Sequence, residues 1–101
     1  PVLPSPVYTV SGKKHYMTDE QYGQFVRLSG QLAKISLERV LAAPEYAEFA
    51  AGATKPTEAH IRLLERIIDR SRDRAREALK RSWLTNEPLD VEAVLQQVQS
   101  P

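Results

Sequence analysis

EAHIRLLERIIDRSRDRAREALKRSWL, residues 58–84, reads as one helix of about seven turns. Ile61, Leu64, Ile68, Ala75 and Leu79 recur at intervals of three, four or seven, and Leu63, Ile67 and Ala78 widen that apolar stripe. A stripe of this kind needs a partner to cover it. The polar faces carry Glu65, Asp69, Asp73 and Glu77 against Arg62, Arg66, Arg70 and Arg74, with Arg72, Arg76 and Lys80 as a third row. Opposite charges one turn apart contribute about 0.2–0.5 kcal/mol per pair at a solvated surface, so these ladders support the helix without building the fold. Thr57 or Thr54 can cap its start, Pro56 is tolerated only in or before the first turn, and Asn86 with Pro88 ends it.

The partner lies upstream. Thr18-Asp19-Glu20-Gln21 fits a capping box, in which the Thr18 hydroxyl accepts from the amide three residues on and the Gln21 side chain returns to the Thr18 amide. Asp19 and Glu20 favour the positive end of the helix dipole. A helix is expected from Asp19 to about Ala43, limited by Pro44, with Tyr22, Phe25, Val26, Leu28, Leu32, Ile35, Val40 and Leu41 at helical spacing. Gly30 costs about 1 kcal/mol relative to Ala in mid-helix, which suggests close packing against the later helix. PEYAEFA, residues 44–50, reads as a short corner helix, and residues 51–56 turn the chain back. The two long helices are then antiparallel neighbours.

Toward the N-terminus, PVLPSP at 1–6 is too proline-rich for a helix or central strand and reads as a linker or arm. VYTV at 7–10 and HYMT at 15–18, separated by SGKK, can pair as a short β-hairpin. Near the C-terminus, Asp90 can cap a short helix whose Val91, Val94, Leu95 and Val98 form one apolar edge. The expected fold is thus all-α: an antiparallel two-helix hairpin at 19–84, short accessory helices, and room for a small β-hairpin at 7–18. Residues 85–101 supply the last short helix and tail.

Composition narrows the function classes. The chain has 101 residues, two Phe, one Trp and no Cys, which allows one thin core with no disulfide and no thiolate metal site. Apolar runs span only a few residues, far short of the roughly 20 that cross a bilayer. The opening Pro-Val-Leu-Pro, without Met, reads as a piece of a longer protein or a processed product. Residues 57–84 hold eight bases and five acids (+3), and the remainder holds six bases and eight acids (−2). So mild an asymmetry argues against a dedicated nucleic-acid binder, whose footprint is strongly basic.

No constellation for catalysis emerges. His15 and His60 have no partners at metal-ligand spacing and read as surface or turn residues. Asp69 and Asp73, one turn apart among arginines, read as a self-neutralised face. Ser29, Ser36, Ser71 and Ser82 lack the strand-turn-helix setting of a nucleophile elbow, and no phosphate-binding loop occurs. No catalytic residue, cofactor or metal is therefore expected. The interface candidates are Trp83, Leu79, Leu84, Val94 and Leu95, with Trp83 either plugging the core over the hairpin or anchoring a partner. Arg70, Arg72, Arg74, Arg76, Lys80 and Arg81 are the candidates for nucleic-acid contact, the alternative being a polar helix face.

MTDEQYGQFVRLSGQL, LAAPEYAEFA and HIRLLERIIDRSRDRAREAL together resemble a helical module near the C-terminal ends of large bacteriophage and prophage virion proteins of the tape-measure or DNA-injection type. The resemblance covers about residues 16–82. It rests on Thr18, Glu20 and Tyr22; on the Leu28-Ser29-Gly30 step; on Ala43, Pro44 and Tyr46; and on an Ile-rich helix (Ile61, Ile67, Ile68) ending in Arg72, Ala75 and Arg76. Ala51-Gly52-Ala53-Thr54 departs from the pattern, where the family has a more acidic loop. The resemblance implies a non-enzymatic part in virion assembly or genome delivery, residence in the virion (otherwise the cytoplasm), and no catalytic residues. Physical reasoning adds that two helices cannot fully bury each other, so contact with a protein partner or self-association is expected, with nucleic acid as the second choice.

Overall fold

The computed structural model describes residues 7–99; the Pro-rich 1–6 and the last two residues lie outside the described residues. Along them run strands β1 (Val7–Val10) and β2 (Lys13–Tyr16), then helices α1 (Asp19–Leu41), α2 (Ala47–Ala50), α3 (Glu58–Thr85) and α4 (Val91–Gln99). A 3-10 turn at Pro44–Tyr46 precedes α2. The molecule is mostly helical with one small antiparallel sheet, in keeping with the expected helical fold, which left room for a β-hairpin at 7–18.

The sheet begins with a tighter turn than the four-residue SGKK connection suggests. Val10 pairs with Lys13, so the loop has only two residues, Ser11 and Gly12, both at positive φ (51° and 77°). Two consecutive positive φ values mark the hairpin turn whose twist matches its strands, and this pulls Lys13 and Lys14 into β2. Tyr8 pairs with His15, and alternation puts Tyr8, Val10 and His15 on the inner face. Tyr8 and Val10 are buried, and Met17 continues the same apolar line.

Both long helices start with reciprocal caps. The Gln21 amide donates to Thr18 Oγ1 at 3.1 Å and the Thr18 amide donates to Gln21 Oε1 at 3.0 Å. On α3 the His60 amide donates to Thr57 Oγ1 at 3.3 Å, and the Thr57 amide donates to His60 Nδ1 at 3.2 Å. Histidine here fills the place that Glu or Gln takes in the usual box. At the far end of α3, Asn86 adopts φ 55° and the Glu87 amide reaches the Ser82 carbonyl at 3.2 Å, closing the helix through a left-handed residue. The Ala93 amide donates to Asp90 Oδ1 at 3.0 Å and caps α4.

The core gathers at one end of the long helices. Phe25, Leu28 and Leu32 of α1 meet Ala75 and Leu79 of α3, with Tyr8, Val10, Met17 and Val91 closing over them. Ala78, Leu89, Val94, Leu95 and Val98 pack around this cluster half-buried. Arg27 pairs with Glu92, and an Arg39 guanidinium nitrogen donates to the Val98 carbonyl at 2.6 Å, so α4 is fastened to α1 at both ends. The body measures 46 × 39 × 22 Å, about two helix diameters thick. Its radius of gyration is 16.2 Å, against about 13 Å for a compact chain of 100 residues.

Three packing expectations are corrected. On α3 the inward face is Ile67, Ser71, Ala75 and Leu79, while Ile61 and Ile68 are exposed. Ser71 tolerates burial because its hydroxyl donates to the Ile67 carbonyl at 2.7 Å. On α1, Tyr22 and Val26 are about half exposed, so its inward face is narrower than the spacing suggests. A Cβ built on Gly30 or Gly23 would meet nothing within 4 Å, so neither glycine admits a close helix approach.

Candidate functional site

The five interface candidates separate into three environments. Leu79 is 2% exposed and belongs to the core, because α1 and the hairpin cover the face on which it lies; it is unavailable to a partner. Val94 and Leu95 are half-buried against the same cluster, since the apolar edge of α4 is used inside the chain. Leu84 and Trp83 remain exposed, Trp83 at 48%.

Trp83 combines parts of the two roles considered for it. Its ring lies 4.3 Å from that of His15, centroid to centroid, and His15 stacks in turn on Tyr8 at 5.5 Å. One side of the indole therefore braces the hairpin while about half of its surface faces solvent. His15 is correspondingly no plain surface residue: its Nε2 is buried with no hydrogen-bond partner among the described residues. His60 is likewise structural, capping α3 and lying 5.5 Å from the Tyr46 ring and 4.7 Å from the Phe49 ring. This aromatic corner joins α2 to α3, and the Thr-x-x-His spacing at 57–60 was the signal for its cap.

The six basic candidates do not form one patch. Arg70, Arg74 and Arg81, spaced four and seven apart, share one side of α3, whereas Arg72, Arg76 and Lys80 share another; residues two apart on a helix do not face each other. Arg76 is also engaged, with its guanidinium 5.2 Å from the centre of the Phe25 ring and 3.8 Å from Asp73. Lys80 donates to Glu77 at 3.1 Å. Arg70, Arg72, Arg74 and Arg81 are exposed.

The groups relevant to catalysis are dispersed. Hydroxyls of Ser29, Ser71 and Ser82 donate to the carbonyls of Val26, Ile67 and Glu87, and Ser36 is half-buried in α1. Asp73 faces Arg76, and Asp69 shares a shallow surface depression with Glu65, Ile68 and Arg72. Among the described residues no cluster of three or more His, Asp or Glu could hold a metal ion, and no helix is long and apolar enough to cross a membrane.

What remains is apolar surface. Ile61 and Ile68 on α3 are 48% and 44% exposed, and Tyr22 and Val26 on α1 are similarly open. Residues 61 and 68 are seven apart and so lie on one side of α3. Sequence periodicity placed both in the buried stripe and missed that side as open surface. No family model, curated protein or solved structure matches the chain.

Proposed function

We propose that this chain is a non-enzymatic protein-interaction module in which two long antiparallel helices present residual apolar surface to a partner or to a second copy. The carrying observation is the half-exposed Ile61 and Ile68 on the longest helix of a body only 22 Å thick. Apolar side chains repeated along one side of a helix gain free energy by leaving water, at about 25 cal/mol per Å² of apolar area. The antiparallel course is supported by contacts at both ends of the pair: Arg76 late in α3 lies over Phe25 early in α1, while His60 at the start of α3 meets Tyr46 and Phe49 just after α1.

The resemblance to tape-measure and DNA-injection virion proteins supports virion assembly or genome delivery as the setting, and the virion as the location. A second reading, nucleic-acid contact, draws on the exposed Arg70, Arg74 and Arg81 along one side of α3. Light scattering behind a sizing column, at low and high salt, separates the two. An apolar module associates at both salts, whereas binding of DNA through the arginines appears only with DNA added and falls steeply as salt rises. A monomer at both salts that binds DNA in that salt-dependent way overturns the first reading.

A further inference from the structure

The hairpin has a free edge whose register is set by its turn. Ser11 and Gly12 form a two-residue loop, so Val10 and Lys13 close it as a hydrogen-bonded pair. In an antiparallel ladder such pairs alternate with pairs whose backbone groups point outward. Tyr8 and His15 therefore bond across the sheet, whereas Lys14 and Tyr16 turn their N–H and C=O groups away from β1, about 7 Å apart along β2. Outside the sheet, no hydrogen bond among the described residues engages either backbone. Of the two strands β1 is the one set against α3, where Thr9, Val10 and Ser11 border a depression shared with Lys80, Arg81 and Leu84, and β2 is the outer strand. Tyr16 is 65% exposed, and Lys13 and Lys14 are exposed as well.

We propose that the edge of β2 takes an extended acidic segment of another protein as a third strand. The backbone selects the shape, because an extended chain presents donors and acceptors at the same alternate-residue spacing. Charge selects the sequence. From Val7 to Thr18 the chain has two lysines and no acid. Asp19 and Glu20, next along the chain, lie in the first turn of α1, where they complement its free amides. On α3, Glu77 is already held by Lys80. Lys14 and Tyr16, two residues apart, share the outer face of the sheet. A carboxylate opposite Lys14 and an apolar side chain opposite Tyr16, at the same spacing in the incoming strand, complete two cross-strand pairs. A second copy at this edge brings two more lysines and no acid onto one sheet in any register, and lysine on an exposed edge guards against such self-pairing. The added strand also reinforces a two-stranded sheet, which is marginal by itself. With only two residues offering backbone groups, the contact is small and transient.

This edge is separate from the apolar side of α3, so its test and the light-scattering test of the module fail independently. The probes are a capped peptide of alternating valine and glutamate, the same peptide with lysine in place of glutamate, and the first peptide with every amide N-methylated. Binding is followed by amide NMR of the full chain and titrated to a dissociation constant. The acidic peptide is expected to shift the Lys14 and Tyr16 amides saturably and to slow their exchange with solvent, while the lysine and N-methyl peptides bind about tenfold more weakly or not at all. Tyr16→Pro removes an outward N–H that the ladder does not use, and should weaken binding by about tenfold with helix content unchanged by circular dichroism. Lys14→Glu should weaken the acidic peptide by about fivefold and favour the lysine peptide. Lys14 and Tyr16 amides that stay unmoved by the acidic peptide, or three peptides that bind alike, overturn the proposal. Protection of these two amides that grows with protein concentration in the absence of peptide makes a second copy the occupant and overturns it as well.

Discussion

The two ends of the α1 and α3 pair are finished differently. At one end the hairpin and α4 close over Phe25, Leu28, Ala75 and Leu79, and Met17 and Val91 seal the edges. At the other, Ile61 and Ile68 stand in solvent, and the α2 corner that adjoins α3 contains no buried residue. The same helix thus supplies both core and surface. The contrast shows where a small chain concentrates its stability: accessory elements cover one end, and apolar side chains at the other are left facing solvent.

Breaking each end should have unequal consequences. Leu28 is fully buried, and Leu28→Ala is expected to cost about 3 kcal/mol, the range for a leucine removed from a core that relaxes only in part. Ile68→Ala, measured on dilute monomer, should cost less than about 1 kcal/mol because its side chain already meets water. Urea unfolding of the two variants measures that difference; equal losses would mean that the open end is core after all.

The caps offer a smaller contrast. Thr57→Ala removes the acceptor for the His60 amide and should destabilise by about 1 kcal/mol. Amide exchange should show the effect in the first turn of α3, leaving the hairpin end unchanged. Smaller still, and opposite in sign, is Gly30→Ala, which should stabilise by up to about 1 kcal/mol, since α1 is regular there and the added methyl meets open space. A loss on thermal unfolding would reveal a close approach at Gly30 that the fold lacks.

Much of this architecture was legible from short-range chemistry. Thr18 with Gln21 announces a helix start because both side chains satisfy free amides, and Asn86 before Pro88 announces a stop. Ser11-Gly12 marks a turn, although its two-residue length depends on positive φ at both positions. What periodicity could not decide was the roll of each helix. Ile67 and Ile68 are adjacent and equally apolar, so spacing admits either as the inward residue; in the fold Ile67 turns inward in line with Ser71, Ala75 and Leu79. Ile61 and Leu79 are about five turns apart on the same side of α3, so the exposure of one and burial of the other follow from which end the hairpin and α4 cover, which spacing does not encode. The arrangement of Trp83 on His15 depends on a contact between residues 68 positions apart, which no local pattern encodes.

Hydrogen exchange along α3, followed at low and then high protein concentration, tests the central claim most directly. The account predicts that dilute protein exchanges faster at residues 61–72 than at 75–84, and that the slow half stays unchanged while the fast half gains protection as concentration rises. Protection already uniform along α3 in dilute solution, or insensitive to concentration in the first half, would contradict the division of this helix into a buried end and an associating one.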